Sequence, residues 1–461
     1  MTYRTRQLLF FASMLAFLAI SGPLLLYTFG YRFSLSSFSL HKTGGVFVHT
    51  NPAGANFKIG DVERTTSYLS GNAFIQNLKP AAYFVSVLSE GYQPWEKTIV
   101  VEPQTVTELF LLLMPLTPAI TVLKMASSTD MHASPEASML ILPYTKNGKH
   151  IYEIFDPNLK RTLPFANALS QSLMASVPSD ARWQWNNSET DAIIETSNDW
   201  ISFSRGDDTI RVQSLYRATP LGRLIPAKPL FMAKDPRDPN RYFLLERTNF
   251  VRWDSETQTA QQLLQSISGM LVEDSHLILW DQQSGLPQVT MLDATQAYPY
   301  ATTSFPIIGP LGIQEIGANL LITNEEGIWL LENTGKTPRL LTNAPLTHHI
   351  HTNSYVAWWD AKTISMYWTV NEEQLPSFQK KRQEIIYTSP NTIQLVLPYP
   401  LEQYLLIEED NTIYALELDG RGGARNKHII YKGAHPSFYA PPEEKILYVH
   451  DNGSVFKIEL Q

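Results

Sequence analysis

The chain of 461 residues contains no cysteine. This excludes a disulfide framework, thiolate metal sites and a cysteine nucleophile. It leaves the cellular compartment open, because a chain without cysteine tolerates both oxidising and reducing surroundings. The compartment must therefore be inferred from the amino terminus.

Charge is also scarce. Charged residues make up 17% of the chain, the net charge is −8, and no long run of basic residues occurs. Proteins that bind nucleic acid usually concentrate Lys and Arg on one surface, where they meet the phosphate backbone. We therefore expect no nucleic-acid partner.

The common sequence motifs of catalysis are missing as well. The chain has no Gly-x-Ser-x-Gly elbow, no glycine-rich phosphate loop, no His-Glu-x-x-His and no sialidase-type Ser-x-Asp-x-Gly-x-Thr-Trp box. Adjacent carboxylates occur at residues 207–208 and 408–410, where they are interpreted as solvated turn residues. We predict a protein that is not an enzyme and has no cofactor. A propeller-type glycan hydrolase or lyase, with carboxylates facing each other across a cleft, is the alternative.

The amino terminus carries a long apolar segment. Residues 8–29 contain no charge, and about 20 such residues suffice to cross a bilayer. Arg4 and Arg6 precede the segment and favour a cytoplasmic amino end. We predict a cytoplasmic tail at 1–7, a transmembrane signal-anchor at 8–29, and the rest outside the cytoplasm as a single-pass protein of the cell membrane. The alternative is a cleaved signal peptide, whose apolar core is usually shorter.

After a predicted linker at 30–43, residues 44–115 follow the pattern of a small β-sandwich. Val46 and Val48 alternate with Phe47 and His49, which is the two-residue period of a half-buried strand. Turn residues then separate further runs of the same kind. These runs are Phe57 to Ile59, Tyr83 to Leu88, Thr98 to Val101 and Thr105 to Leu113.

Four short motifs in this region resemble the PEGA domain family. They are Pro52-Ala53-Gly54-Ala55, Leu78-Lys79-Pro80, the strand that begins at Tyr83, and Gly91-Tyr92. Ala81 stands where the family usually has glycine, and Thr65-Thr66 replaces its Thr-Pro. Family members are surface-layer-like or envelope β-sandwich modules without catalytic groups. The resemblance therefore implies a bacterial envelope protein.

Residues 116–461 repeat a strand–turn–strand cadence about every 40 residues, a period typical of β-propeller blades. Units begin near residues 132, 178, 234, 269, 308, 347, 393 and 435. We predict an all-β chain whose carboxy-terminal propeller has eight blades, with seven blades as the alternative. The last unit has three strands, so we expect residues 119–123 to supply its outer strand and close the ring. The cadence resembles WD-repeat and quinoprotein-like propellers. A tandem of β-sandwiches is a further alternative.

Few side chains stand out as candidates for a site. His349 and His351 share one face of a predicted strand and are weak metal candidates, since no carboxylate follows them closely and no metal site is expected. Aromatic and imidazole side chains can bind a partner, although packing between blades explains them equally. These partner-binding candidates are Trp183, Trp185, His348, Trp358 and Trp359.

Taken together, these observations predict a membrane-anchored, extracytoplasmic and non-catalytic binding or scaffold protein of the cell envelope. Its propeller is expected to engage an envelope protein or a surface glycan through its loops. A self-associating structural protein of the cell surface is the other non-catalytic alternative.

Overall fold

The computed structural model describes most of the chain with short gaps. It describes residues 3–29, 31–34, 39–125, 128, 130–147, 149–178, 181–186, 189–217, 219–225, 227–272, 276–281, 286–291, 297–299, 312–332, 338–343, 348–370, 382–399, 403–423, 425–441 and 444–460. The described part starts with helix α1 (Tyr3–Thr28). Its segment Thr5–Thr28 is long and apolar enough to cross a membrane, and the most apolar window of that segment is not buried in the protein.

A small hairpin follows α1, where the sequence analysis expects only a linker. It consists of β1 (Tyr31–Ser34) and β2 (Ser39–Lys42), paired antiparallel with Phe33 opposite Leu40. Within the described residues, the hairpin shares no strand pairing with the sheets that come after it.

Residues 44–115, which we call the sandwich domain, form two sheets. Their strands are β3 (Gly44–Asn51), β4 (Asn56–Ile59), β5 (Val62–Thr65), β6 (Asn72–Leu78), β7 (Ala81–Leu88), β8 (Trp95–Val101) and β9 (Val106–Leu112). One sheet has the order β6-β3-β9, with β3 and β9 parallel, and the other has the order β5-β4-β7-β8. The inward side chains, among them Val46, Phe57 and Val85, are fully or almost fully buried and form one core.

The rest of the described chain forms a propeller. The strand β10 (Ala119–Met125) comes first, and seven four-stranded antiparallel sheets follow in chain order. Blade 1 consists of β11 (His132–Ala133), β12 (Leu140–Lys146), β13 (Lys149–Asp156) and β14 (Arg161–Leu163), and blade 2 of β15 (Arg182–Trp185), β16 (Asp191–Glu195), β17 (Trp200–Arg205) and β18 (Ile210–Ser214). Blade 3 consists of β19 (Phe231–Lys234), β20 (Arg241–Glu246), β21 (Asn249–Asp254) and β22 (Thr259–Leu264), and blade 4 of β23 (Ile267–Val272), β24 (His276–Asp281), β25 (Leu286–Met291) and β26 (Ala297–Pro299).

Blades 5 to 8 continue the same pattern. Blade 5 consists of β27 (Gly312–Ile316), β28 (Asn319–Asn324), β29 (Gly327–Leu331) and β30 (Arg339–Thr342), and blade 6 of β31 (His349–His351), β32 (Tyr355–Trp359), β33 (Thr363–Trp368) and β34 (Gln383–Thr388). Blade 7 consists of β35 (Ile393–Pro398), β36 (Tyr404–Glu409), β37 (Thr412–Glu417) and β38 (Lys427–Lys432). Blade 8 consists of β39 (Ser437–Tyr439), β40 (Ile446–Asp451) and β41 (Ser454–Glu459), together with β10. Two short helices, α2 (Ala168–Met174) and α3 (Leu221–Leu224), lie in the connections that follow blades 1 and 2.

An apolar core fills every interface between consecutive sheets, and this arrangement makes the propeller a closed ring. Ile141 of blade 1 packs in one cluster with Ile201 of blade 2, and such clusters recur around the ring. The final cluster joins Tyr448 of blade 8 to Leu140 of blade 1. Among the described residues the ring therefore closes through eight sheets, and eight is the number that the repeats predict.

The ring is closed by chain segments from its two ends. Strand β10 pairs antiparallel with β41, from Ala119 opposite Glu459 to Met125 opposite Ser454, with a bulge near Val122. The outermost strand of blade 8 therefore comes from the residues that directly follow the sandwich domain.

Candidate partner-binding face and the seam between the domains

The two faces of the ring are distinguished by their loops. In blades 2 to 8, antiparallel pairing places the start of the first strand beside the end of the second strand, at one face of the ring. We call this the distal face. Among the described residues, it holds the connections that enter the blades and the turns between second and third strands. Loops of this kind, held by a rigid scaffold, are the usual place for binding residues.

Two of the candidate histidines lie near the entrance to the ring at the distal face. His349 and His351 are on the first strand of blade 6, and burial lowers the pKa of both side chains. The positive charge of Arg182, on the first strand of blade 2, lowers the pKa of His349 further. In the described residues no group of three His, Asp or Glu side chains is placed to hold a metal ion. The pair of imidazoles therefore stands without a third ligand there.

Trp183 and Trp185 form a packed pair. Their rings stack with centroids 5.5 Å apart, and each meets Phe203 edge-on. Both are half-buried against the core between blades 1 and 2. Because side chains alternate along a strand, Arg182 and Gln184 point the other way and are exposed. Arg182 and Gln184 are therefore the side chains of β15 that solvent reaches most readily.

Trp358 and Trp359 lie inside the ring wall. They are 7% and 4% exposed and contribute to the two different cores on either side of blade 6. His348 is exposed, and its ring stacks on Trp359 with centroids 5.4 Å apart. Of these three candidates, only His348 is therefore accessible at the distal face.

Of the carboxylates at 408–410, Asp410 is an exposed turn residue as the sequence predicts, but Glu408 and Glu409 are not. Glu408 and Glu409 are buried, because β36 carries them into the packing between blades. Burial and the nearby charge of Asp130 raise the pKa of Glu408 to about 7. Glu409 accepts hydrogen bonds from Ser389 Oγ at 2.6 Å and Tyr387 Oη at 2.9 Å. Interpreting this pair as solvated turn residues is therefore wrong, and Glu409 has a structural network of its own.

The sandwich domain docks on the face of the ring opposite the distal face, beside blade 7. Glu417, at the end of β37, accepts a hydrogen bond from Trp95 Nε1 at 2.8 Å and forms an ion pair with Lys97, whose Nζ lies 2.7 Å from the carboxylate. The side chains of Lys97 and Glu417 are only 2% and 6% exposed. Lys97 Nζ also donates to the carbonyl oxygen of Asp419. We call this contact surface the seam.

Further polar contacts complete the seam. Asn426 donates to Glu417 from its backbone nitrogen and from Nδ2. Arg421 Nη2 pairs with Asp419 Oδ2 at 2.7 Å, and Arg421 Nη1 donates to the carbonyl of Glu108 at 3.0 Å. Two carboxylates and two cations therefore balance, which is what buried charges require for stability.

At its edge, the seam consists of apolar and uncharged polar groups. Tyr404 Oη donates to the carbonyl of Leu112 at 2.8 Å, and Met114 is fully buried in the core between blades 7 and 8. The nitrogen Nδ1 of His428 lies 3.0 Å from Gln93 Oε1, and burial lowers the pKa of His428 to about 4. Each of these contacts joins residues that are about 300 apart in sequence, so the two domains form one packed body.

A signal for the seam exists in the sequence, although the sequence analysis missed it. Strand β8 buries every second side chain, and Lys97 occupies one of these inward positions between Trp95 and Ile99. Lysine is almost never fully buried unless it is paired. A lysine in the inward register of an otherwise apolar strand therefore predicts a buried anionic partner, which in the structure is Glu417 of the propeller.

Solved structures of propellers are similar to this chain in outline. The β-propeller domain of Cps50 (Swd1) from Myceliophteria thermophila shares 9% identity, with a TM-score of 0.35, 75% of this chain covered and 100% of that chain. The WD40 domain of SCAP from fission yeast shares 9% identity, with a TM-score of 0.40, and the match covers 74% of this chain and 98% of that domain. The dihydro-heme d1 dehydrogenase NirN, in complex with DHE, shares 11% identity, with a TM-score of 0.38, and the match covers 67% of each chain. No curated protein matches the chain.

One family model matches part of the chain. Residues 43–117 match the PEGA domain, and this range includes all strands of the sandwich domain from β3 to β9. The resemblance seen in the motifs around Pro52, Pro80 and Tyr92 is therefore confirmed, and the sandwich domain of this chain is a PEGA domain.

Proposed function

We propose that this chain is a membrane-anchored, extracytoplasmic binding protein of the cell envelope. Helix α1 anchors it, and the propeller is a non-catalytic platform that engages an envelope protein or a surface glycan. The observation that carries the proposal is the seam, whose buried ion pairs attach the ring to the domain next to the anchor.

The position of the seam supports a role for the distal face. Because the PEGA domain occupies the opposite face beside blade 7, the distal face stays accessible. That face offers exposed polar side chains, including Arg182, Gln184 and His348. Polar side chains of this type suit a hydrogen-bonding partner such as a glycan or a polar protein surface.

The anchor and its orientation can be tested together, because the chain has no native cysteine to interfere. Leu69 is fully exposed on the PEGA domain, so a Leu69→Cys variant carries one accessible thiol. We expect a maleimide that cannot cross membranes to label this variant in intact cells. An amino-terminal tag should stay on the labelled protein. Labelling only after lysis would contradict the orientation, and loss of the tag would indicate a cleaved leader.

Partner binding through the distal face requires a comparison of matched variants. We expect a photo-crosslinker beside His348 to capture the same envelope component repeatedly, and an Arg182→Ala/His349→Ala variant to lose that capture. Lys58→Ala is the control, because Lys58 is exposed on the PEGA domain far from the distal face. Equal capture by both variants would refute this face as the binding surface. Shortened glycan products on incubation with envelope glycans would instead favour the hydrolase or lyase alternative.

A further inference from the structure

The hairpin after α1 has one face that carries apolar and basic side chains. Its register places Phe33 opposite Leu40 and Tyr31 opposite Lys42. Residues two apart on a strand share a face, so all four side chains lie on the same side of the hairpin. Phe33 and Leu40 are 56% and 44% exposed. A mixture of aromatic, aliphatic and basic groups is typical of surfaces at the membrane–water boundary.

The hairpin is attached to the carboxy-terminal end of α1. Arg32 Nη1 donates to the carbonyl of Tyr27 at 2.8 Å, and its guanidinium carbon lies 3.6 Å from the centre of the Tyr27 ring. A cation at the end of a helix is also favoured by the helix dipole. Because this contact joins the start of the hairpin to the last turn of the helix, the position of the hairpin follows from the position of α1.

The PEGA domain holds the same junction. Arg32 Nε donates to Asn77 Oδ1 at 2.5 Å, and Gln104 Nε2 donates to the carbonyl of Phe29 at 2.8 Å. Asn77 lies near the end of β6 and Gln104 lies between β8 and β9, and both are at the end of the PEGA domain where β3 begins. Helix, hairpin and this end of the domain therefore meet at one place.

The length of the hairpin limits how far it can extend from a bilayer. Four residues of β-strand span about 13 Å. The polar headgroup region adds roughly 5–8 Å on each side of a hydrocarbon core about 30 Å thick. A hairpin that begins three residues after a membrane-spanning helix, and is bonded to the last turn of that helix, therefore lies within or beside the headgroups.

We infer that β1 and β2 form a membrane-interface hairpin, whose partner is the lipid bilayer itself. Phe33 and Leu40 insert at the boundary between headgroups and acyl chains, and Lys42 contacts lipid phosphate groups. This inference rests on the proposed anchoring of α1. It goes further in making the attachment rigid, because the same hairpin is bonded to both the helix and the PEGA domain.

Site-directed spin labelling of the full chain in lipid vesicles tests the inference. Single cysteines at Phe33, Leu40, His41 and Leu15 each carry one nitroxide in the cysteine-free chain. Collision rates with oxygen, which partitions into lipid, are compared with those for a water-soluble nickel chelate. We expect labels at 33 and 40 to favour oxygen, and a label at 41, on the opposite hairpin face, to favour the chelate. If one hairpin variant does not fold, the other gives the same reading.

Leu15, which is 72% exposed in the middle of α1, separates the two hypotheses. A label there that favours oxygen, with labels at 33 and 40 that favour the chelate, would overturn the hairpin inference and leave the anchor standing. A label at 15 that favours the chelate would overturn the anchor and the inference with it. In vesicles with phosphatidylglycerol, the label at 40 should move deeper than in phosphatidylcholine alone. A Lys42→Gln background should remove that shift, and a shift that persists would overturn the role of Lys42.

Discussion

Replacing Lys97 with methionine removes the cation at the centre of the seam while it keeps most of the length of the side chain. Breaking a buried ion pair by removing one partner usually costs about 3–5 kcal/mol, since the remaining charge stays buried. Glu417 would keep hydrogen bonds from Trp95 and from Asn426. We therefore expect the lower end, about 3 kcal/mol, for the free energy of opening the seam.

Hydrogen–deuterium exchange of the full chain measures this opening directly. A change of about 3 kcal/mol raises the population of the open seam roughly a hundredfold, so amides of β8 and β37 should exchange faster by that factor. Lys58→Met is the matched control, because Lys58 is exposed on the outer side of β4 and should change exchange little. A double variant Lys97→Met/Glu417→Gln should lose less than the sum of the two single variants, because it leaves no buried charge unpaired.

The reasoning would be refuted by exchange in Lys97→Met that matches Lys58→Met. Such a result would mean that the PEGA domain and the ring separate readily in solution, and that the ion pairs form without holding the domains together. Additive effects in the double variant would likewise show that Lys97 and Glu417 are not coupled.

Three further predictions concern pH and packing. The pKa of His428 in the folded chain is about 4, below its unfolded value, so its contribution to stability should be lost as pH falls from about 6.5 to 4, by up to about 3 kcal/mol. Urea unfolding at pH 7 and pH 4.5 should show this loss of stability, and the loss should be smaller in His428→Gln. The pKa of Glu408 is raised to about 7, so its contribution to stability is present below about pH 4.5 and lost as pH rises through 7. Glu408→Gln should therefore stabilise the chain by up to about 3 kcal/mol at pH 8 and by much less at pH 5. An equal effect at both pH values would argue against a buried, neutral Glu408. Trp359→Ala should cost about 3–5 kcal/mol of stability because it empties a core site, whereas His348→Ala should change stability by less than about 0.5 kcal/mol in the same urea titration; similar losses would contradict the different burial of the two side chains.

Local patterns in the sequence predict the fold well. The alternation of Val46 and Val48 and the turn at Pro52 are short-range signals, and they led to the PEGA resemblance that the family match confirms. The blade repeats are also local, because seven of the eight propeller sheets are built from four consecutive antiparallel strands. The strands between Val62 and Leu78 escaped notice, since polar residues interrupt their alternation.

Contacts between distant parts of the chain could not be predicted in the same way. Lys97 and Glu417 are 320 residues apart, and nothing local to either residue specifies the other. The hairpin at 31–42 was missed because its strands have only four residues each. Trp358 and Trp359 show a related limit, since an aromatic side chain at a strand fits a core as well as a binding surface.

The pairing of β10 with β41 has a consequence for the order of events during biosynthesis. The two strands are separated by 328 residues, so at about 5–20 residues per second the ribosome needs roughly 16–65 s to make the second strand after the first. During that interval β10 has exposed apolar side chains and no neighbouring strand, which is a condition that favours aggregation or capture by a chaperone. A nascent chain stalled before Ser454 would thus keep its ring open, with the PEGA domain already complete beside the gap.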